Sequence, residues 1–217
     1  MPAGGVPIRS RQAQRVKRIV VGITGASAVL YGIRLLQELG RSEGVETHLI
    51  LSKAASVTLS LECPDWSVNG VKALADVCHK ESDIAASIAS GSFPVTAMAI
   101  VPASMKTVGQ VAHGVGETLL HRAADVTLKE RRPLIVVPRE TPLHLGHLRN
   151  LTTLAELGAV IVPPMVAFYH RPQTVEQVVD HTVGKVMELL GLPHQLYPTW
   201  TGPQGAGETL GAEGPGL

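Results

Sequence analysis

Aromatic residues are scarce in this chain, only 3% of 217 residues. Its core must therefore be aliphatic, and any aromatic pair in a loop calls for a reason. Cysteine is scarcer still: Cys63 and Cys78, with no C-x-x-C spacing. That excludes a disulfide framework and a thiolate zinc site. No apolar run approaches the roughly 20 residues of a membrane span. There is no excess of one charge either, the formal net charge being +1. A nucleic-acid binder usually shows a strong basic excess, so neither nucleic acid nor membrane is an expected partner. Arg9, Arg11, Arg15, Lys17 and Arg18 form a basic arm, but no apolar stretch of signal-peptide length follows it. The cytoplasm is the expected compartment.

Hydrophobic residues make up 45% of the chain, enough for one domain of ordinary size. Residues 1–16 read as a flexible basic leader, 17–192 as the folded domain, and 193–217 as a Gly/Pro-rich tail. Within the domain, apolar runs alternate with segments of helical spacing. Arg18–Ile23, Thr47–Leu51, Ala97–Val101, Leu134–Val137 and Val160–Val162 are predicted strands. Ala28–Leu39, Lys53–Leu61, Val71–Val77, a stretch from Gly116 to Glu130, His144–Leu157 and Val175–Leu190 are predicted helices. Strands apolar throughout, alternating with helices, predict an α/β fold: a doubly wound parallel sheet, Rossmann-like or flavodoxin-like. Ligands of such sheets sit at the carboxyl ends of the strands.

Three predicted strand ends carry small or hydroxyl residues. Gly22-Ile-Thr-Gly25-Ala26-Ser27 lies where the first strand gives way to a helix. Glycine lets backbone approach a phosphate, and the helix start offers N–H groups and the positive end of its dipole. The spacing is neither G-x-G-x-x-G nor a P-loop, so an ordinary tight turn also fits. Ser52 ends the second strand, and Ser104, Met105, Lys106 and Thr107 follow Ala97–Val101. Together they suit a mononucleotide, with FMN as the natural candidate.

A second cluster of groups lies at His121–Glu140, which holds Arg122, Lys129, Arg131, Arg132 and Arg139 and ends on Arg139-Glu140. A guanidinium beside a carboxylate suits proton chemistry on a phosphorylated substrate, or is a solvated ion pair. Lys129 precedes the Leu134–Val137 strand and Arg139 follows it. Such a strand separates its ends by roughly 17 Å, so Lys129 is expected to serve a neighbouring subunit's site, with Arg122 on the same helix face. Phe168-Tyr169 is the conspicuous aromatic pair, either a loop anchor or a wall for a cationic intermediate. His144 and His147 have the spacing of a metal pair without an evident third ligand, so no metal is expected and these histidines are read as surface or capping groups.

Taken together, GITGAS (22–27), LSKAA (51–55), ASGSF (89–93), RAADVTLKERRPLIVVPRETPLHLGHL (122–148), GAVIVPP (158–164) and FYHRPQ (168–173) resemble the UbiX-like flavin prenyltransferases. That family is also known as phenylacrylic acid decarboxylases. The resemblance implies transfer of a dimethylallyl group from dimethylallyl phosphate to reduced FMN. It implies a homo-oligomer, usually dodecameric, with active sites at subunit interfaces, and prenylated FMN passed to a UbiD-type decarboxylase. By position it assigns Gly25, Ala26, Ser27, Ser52, Ser104–Thr107, Arg122 and Arg139 to FMN. It assigns Lys129, Arg139, Tyr169, Lys185 and Trp200 to the prenyl phosphate. Glu140 and Glu62, with Lys129 and Tyr169, fall at catalytic positions. The final base is Glu140 or the departing phosphate, and the donor a mono- or diphosphate. The chain departs from the family pattern at Ala28, where glycine is common, at Lys185, where arginine is common, and at Gly116-Glu117-Thr118. Two alternatives stand beside this reading: a flavin-dependent cysteine decarboxylase of related fold, and a non-catalytic flavin carrier.

Overall fold

Six short segments become the strands of one sheet in the computed structural model, which describes residues 16–198. They are β1 (Lys17–Ile23), β2 (Val45–Leu51), β3 (Val77–His79), β4 (Ala97–Ala103), β5 (Leu134–Pro138) and β6 (Val160–Ile161). Every described pairing is parallel. The order is β3-β2-β1-β4-β5-β6, the doubly wound arrangement with its switch point between β1 and β4. The inner strands need both faces covered: β4 and β5 are buried at every residue. The α-helices are α1 (Leu30–Gly40), α2 (Lys53–Glu62), α3 (Val68–Lys72), α4 (Met105–His113), α5 (Leu119–Lys129), α6 (Leu145–Glu156) and α7 (Val175–Leu189).

Alternate strand residues point to opposite faces, so two aliphatic clusters form. One gathers Ile19, Val21 and Ile23 with Ile33, Leu36 and Val183 from α1 and α7. The other gathers Val20, Met98 and Ile100 with Val108, Leu120 and Leu154 from α4, α5 and α6. Each fully buried aliphatic side chain contributes about 1.5–3 kcal/mol over exposure.

Three predicted elements differ. The helix expected over Val71–Val77 ends at Lys72, and Val77–His79 is an edge strand instead. β4 continues through Pro102 to Ala103, with a register shift between Ile100 and Ala103. α4 follows at once, although no helix was expected there, because Ser104 caps it by accepting from the Thr107 N–H at 3.3 Å. The leader falls outside the described residues except for Val16. The tail is described only to Pro198, and its first part turns back on α7: the Tyr197 hydroxyl donates to Glu188 Oε1 at 2.5 Å. No helix among the described residues is long and apolar enough to cross a membrane.

Candidate functional site

At the switch point the end of β1 is tied to the end of β4. Thr24 Oγ1 donates to the Pro102 carbonyl at 2.8 Å and accepts from the Ser104 N–H at 2.8 Å. The Ser52 N–H donates to Ile23 O at 3.0 Å, tying in the end of β2. Gly25 passes so close to α2 that an added Cβ would sit 2.5 Å from Ala54 Cβ. Glycine is required there by contact rather than by dihedral angle. Thr58 Oγ1 fixes the same turn by donating to Gly25 O at 3.1 Å.

These ties hold open a cavity of about 300 Å³ lined by Thr24, Gly25, Ser52, Lys53, Ser104 and Lys106, with Thr107 and His121 among its other walls. It lies at the low end of the range for small-ligand sites. Two helices begin on it: α2, capped by Ser52 Oγ accepting from the Ala55 N–H at 3.0 Å, and α4, capped by Ser104. Their dipoles favour an anion, while the charges of Lys53 and Lys106 are offset by Glu81 and Glu117 in the same walls. The donor set therefore fits a mononucleotide phosphate. Ala26, Ser27 and Met105 do not line this cavity. Met105 is 8% exposed and packs into the second core cluster, so only its backbone can reach a ligand.

His121 is a wall that spacing alone did not reveal. Its Nδ1 lies 2.9 Å from Thr118 Oγ1, and burial pushes its pKa below the usual histidine value. Glu81, also lining the cavity, accepts from the Lys53 N–H at 3.0 Å. Neither was legible, because nothing in the sequence brings residue 81 or 121 to the ends of β1 and β2.

Glu62 ends α2 and reaches the start of α1. Its Oε2 accepts from the Ala28 N–H at 2.6 Å and the Val29 N–H at 3.3 Å. Val29, the N-cap residue of α1, has no side-chain cap. Ala28 has φ +73°, the left-handed region that disfavours every residue with a Cβ. The family's common glycine is missing at a position whose backbone suits glycine.

Arg139 and Glu140 follow β5 and are both exposed. They make no ion pair with each other. The Arg139 N–H donates to Ala103 O at 3.1 Å, and Glu140 Oε1 accepts from the Thr141 N–H at 3.0 Å. Lys129, at the other end of β5, pairs with Glu130. Arg122, on the same helix, donates to Ala89 O at 3.1 Å and to Asp125 at 2.8 Å. Lys185, on α7, pairs with Glu188 at 2.5 Å, which pushes its pKa up. Tyr169 stands in the loop before α7, its hydroxyl 3.1 Å from His181 Nε2. Trp200 lies outside the described residues. One chain thus gathers Gly25, Ser52, Ser104, Lys106 and Thr107 around a single cavity, while Ala26, Ser27, Met105, Arg122 and Arg139 are not among its walls and Lys129 stays at the other end of β5. His144 caps α6, its Nδ1 accepting from the Gly146 N–H at 3.1 Å and the His147 N–H at 3.3 Å. No metal-holding group of three or more ligands occurs among the described residues.

Fold and site together define an α/β protein built to bind a mononucleotide at a topological switch point. A family model described as Flavoprotein matches residues 7–187, and the chain belongs to that family. It is 54% identical to Flavin prenyltransferase UbiX of Escherichia coli strain K12 over 189 residues, 86% of this chain and 100% of that protein. The crystal structure of AnUbiX (PadA1) in complex with FMN and dimethylallyl pyrophosphate is similar with a TM-score of 0.85 and 44% identity. The match covers 88% of this chain and 100% of that one. A dodecameric FMN-dependent Ubix-like decarboxylase from Escherichia coli O157:H7 matches with a TM-score of 0.83 and 46% identity, over 85% of this chain and 100% of that one.

Proposed function

We infer that this protein is a flavin prenyltransferase, transferring a dimethylallyl group from dimethylallyl phosphate to reduced FMN. The observation that carries the reading is the near-full-length identity to a flavin prenyltransferase. Reduced FMN supplies the nucleophilic N5 and C6 on which the new ring closes. The allylic carbon–oxygen bond breaks and its electron pair leaves with the phosphate. Groups that hold that phosphate stabilise the departing charge. In this reading they are Arg139, Tyr169 and Lys185, with Lys129 from a neighbouring subunit. Lysine at 185 offers a point charge, where arginine would offer two parallel hydrogen bonds. The turn at Gly25–Ser27, together with Ser52 and Ser104–Thr107, holds the FMN, with Arg122 beside it. Trp200 is assigned to the prenyl group. Glu62 lies near the flavin, and Glu140 or the leaving phosphate takes the proton lost on ring closure.

The same reading makes the active unit a homo-oligomer. Leu145 and Leu148 on α6, with Val160, Met165 and Phe168 beyond it, are exposed, Phe168 at 76%. Exposed large apolar side chains, several of them close together in the sequence, call for cover, and copies of the chain are the proposed cover. The folded domain is taken as residues 17–192, between a basic leader and a Gly/Pro-rich tail. The product, prenylated FMN, serves a UbiD-type decarboxylase in the cytoplasm.

A cysteine decarboxylase of related fold would carry an asparagine-containing P-x-M-N segment. Pro163-Pro164-Met165 runs on into Val166-Ala167-Phe168 instead. A passive flavin carrier would need no second phosphate site. The test is phosphate release from dimethylallyl phosphate, measured with and without reduced FMN, beside a cysteinyl-peptide control. Release that requires reduced FMN, with no carbon dioxide from the peptide, is expected. Carbon dioxide from the peptide, or no phosphate release at all, would refute the assignment.

A further inference from the structure

Tyr169 meets a histidine that the proposed chemistry does not use. The Tyr169 hydroxyl lies 3.1 Å from His181 Nε2. The imidazole is held on several sides. His170 stacks on it with centroids 4.9 Å apart and planes 11° apart. Tyr197 leans on it at 4.9 Å and 37°. The Tyr169 ring meets it edge-on at 6.0 Å and 80°. Neither ring nitrogen of His170 has a hydrogen-bond partner among the described residues, so its contribution to the stack is packing. His181 itself sits on α7, which packs against α1. Three loop and tail rings thus fix the orientation of one helix-borne ring.

The titratable and charged groups facing His181 are His170 and Tyr169 from the loop, Lys185 and Glu188 from α7, and Tyr197 from the tail. Burial is the main cause that holds its pKa below the usual 6.5; His170 and Lys185 act the same way and Glu188 opposes them. The ring is therefore neutral at ordinary pH. A neutral imidazole offers two arrangements at Nε2. Accepting there commits the tyrosine's hydrogen to the histidine. Donating there places the bond on the phenol oxygen, and the tyrosine's own hydrogen can be aimed at a second acceptor. A phosphate oxygen is such an acceptor.

We propose that His181 is a positioning residue for the prenyl phosphate: its Nε2–H donates to Tyr169 Oη and turns the Tyr169 hydroxyl hydrogen toward the phosphate. The inference rests on the reading above that Tyr169 contacts that phosphate. Steady-state kinetics of the full-length oligomer test it, with Tyr169→Phe, His181→Ala, His181→Gln and the Tyr169→Phe/His181→Ala double variant. A hydrogen bond to a charged phosphate is at stake, so His181→Ala should raise KM for dimethylallyl phosphate about tenfold. FMN affinity should stay within about twofold of the starting protein, and kcat should fall no further than in Tyr169→Phe, since the Tyr169 hydroxyl also steadies the departing phosphate. His181→Gln, whose amide N–H reaches a similar point, should restore most of the loss. The double variant should be no worse than Tyr169→Phe, because the two residues act in series.

The outcomes separate the two ideas. If Tyr169→Phe raises KM while His181→Ala does not, the inference falls and the role of Tyr169 stands. The same holds if the two effects multiply, or if His181→Gln is as impaired as His181→Ala. If Tyr169→Phe leaves both KM and kcat unchanged, the reading of Tyr169 and the inference fall together.

Discussion

Glu62 is expected to hold two roles that can be pulled apart. Its carboxylate accepts from the Ala28 and Val29 N–H groups at 2.6 and 3.3 Å. The helix it serves, α1, has no side-chain cap of its own. Loss of an N-terminal cap costs about 0.5–2 kcal/mol. A carboxylate at a helix N-terminus adds roughly 0.5 kcal/mol through the dipole, little because the side chain is exposed. Glu62→Ala should therefore lower stability by about 1.5 kcal/mol, a fall in Tm of roughly 3–6 °C for a domain of this size. Glu62→Gln keeps an acceptor oxygen and should lose less than about 0.5 kcal/mol, the dipole contribution alone. Its prenylation rate should nonetheless fall, since in the proposed reading Glu62 holds a catalytic position near the flavin and the amide removes its negative charge. Thermal and urea unfolding read the first effect, and single-turnover kinetics with reduced FMN read the second. An unchanged Tm in Glu62→Ala would show that the cap does not matter. A Gln variant as unstable as the Ala variant would show that charge, rather than the acceptor, holds the helix.

Ala28, at φ +73°, should tolerate Ala28→Gly with no loss of stability. Ala28→Val should cost about 2 kcal/mol, since a β-branched residue with positive φ is an outlier; urea midpoints of the two variants check this. Mixed oligomers of inactive Lys129→Ala and Arg139→Ala subunits should regain activity, because the two residues sit at opposite ends of β5. Properly mixed oligomers that stay inactive would argue against shared sites. His121 should make the protein acid-sensitive. Burial lowers its folded pKa from 6.5, so below that pH the unfolded chain takes up a proton that the folded one resists. Stability should then fall as pH drops below 6.5, and His121→Gln should flatten that limb of a stability–pH curve.

Strands buried on both faces were the most legible part of the chain. Ile19–Ile23 and Leu134–Val137 are apolar throughout because helices cover both sides of the sheet, and composition records that directly. β3 was hidden for the opposite reason: Val77–His79 is a short edge strand, and apolar residues just before it mimic helical spacing. α4 was hidden by Pro102, which reads as a stop although Ser104 caps a helix two residues later. In the candidate site, the hydroxyl and glycine residues at strand ends could be read from position, since the fold dictates where strand ends meet. The separation of Lys129 from Arg139 followed from strand length. Contacts made by folding separate segments together left no local trace: Glu62 on α1, His121 in the cavity wall, and His181 beneath Tyr169.

Weighing the flavin after turnover is the most direct test of the whole account. Reduced FMN recovered from an anaerobic incubation with this protein and dimethylallyl phosphate should be heavier by one isoprene unit, and Arg139→Ala should abolish the gain. A flavin of unaltered mass, in protein shown to bind both compounds, would contradict prenyl transfer as the function of this fold.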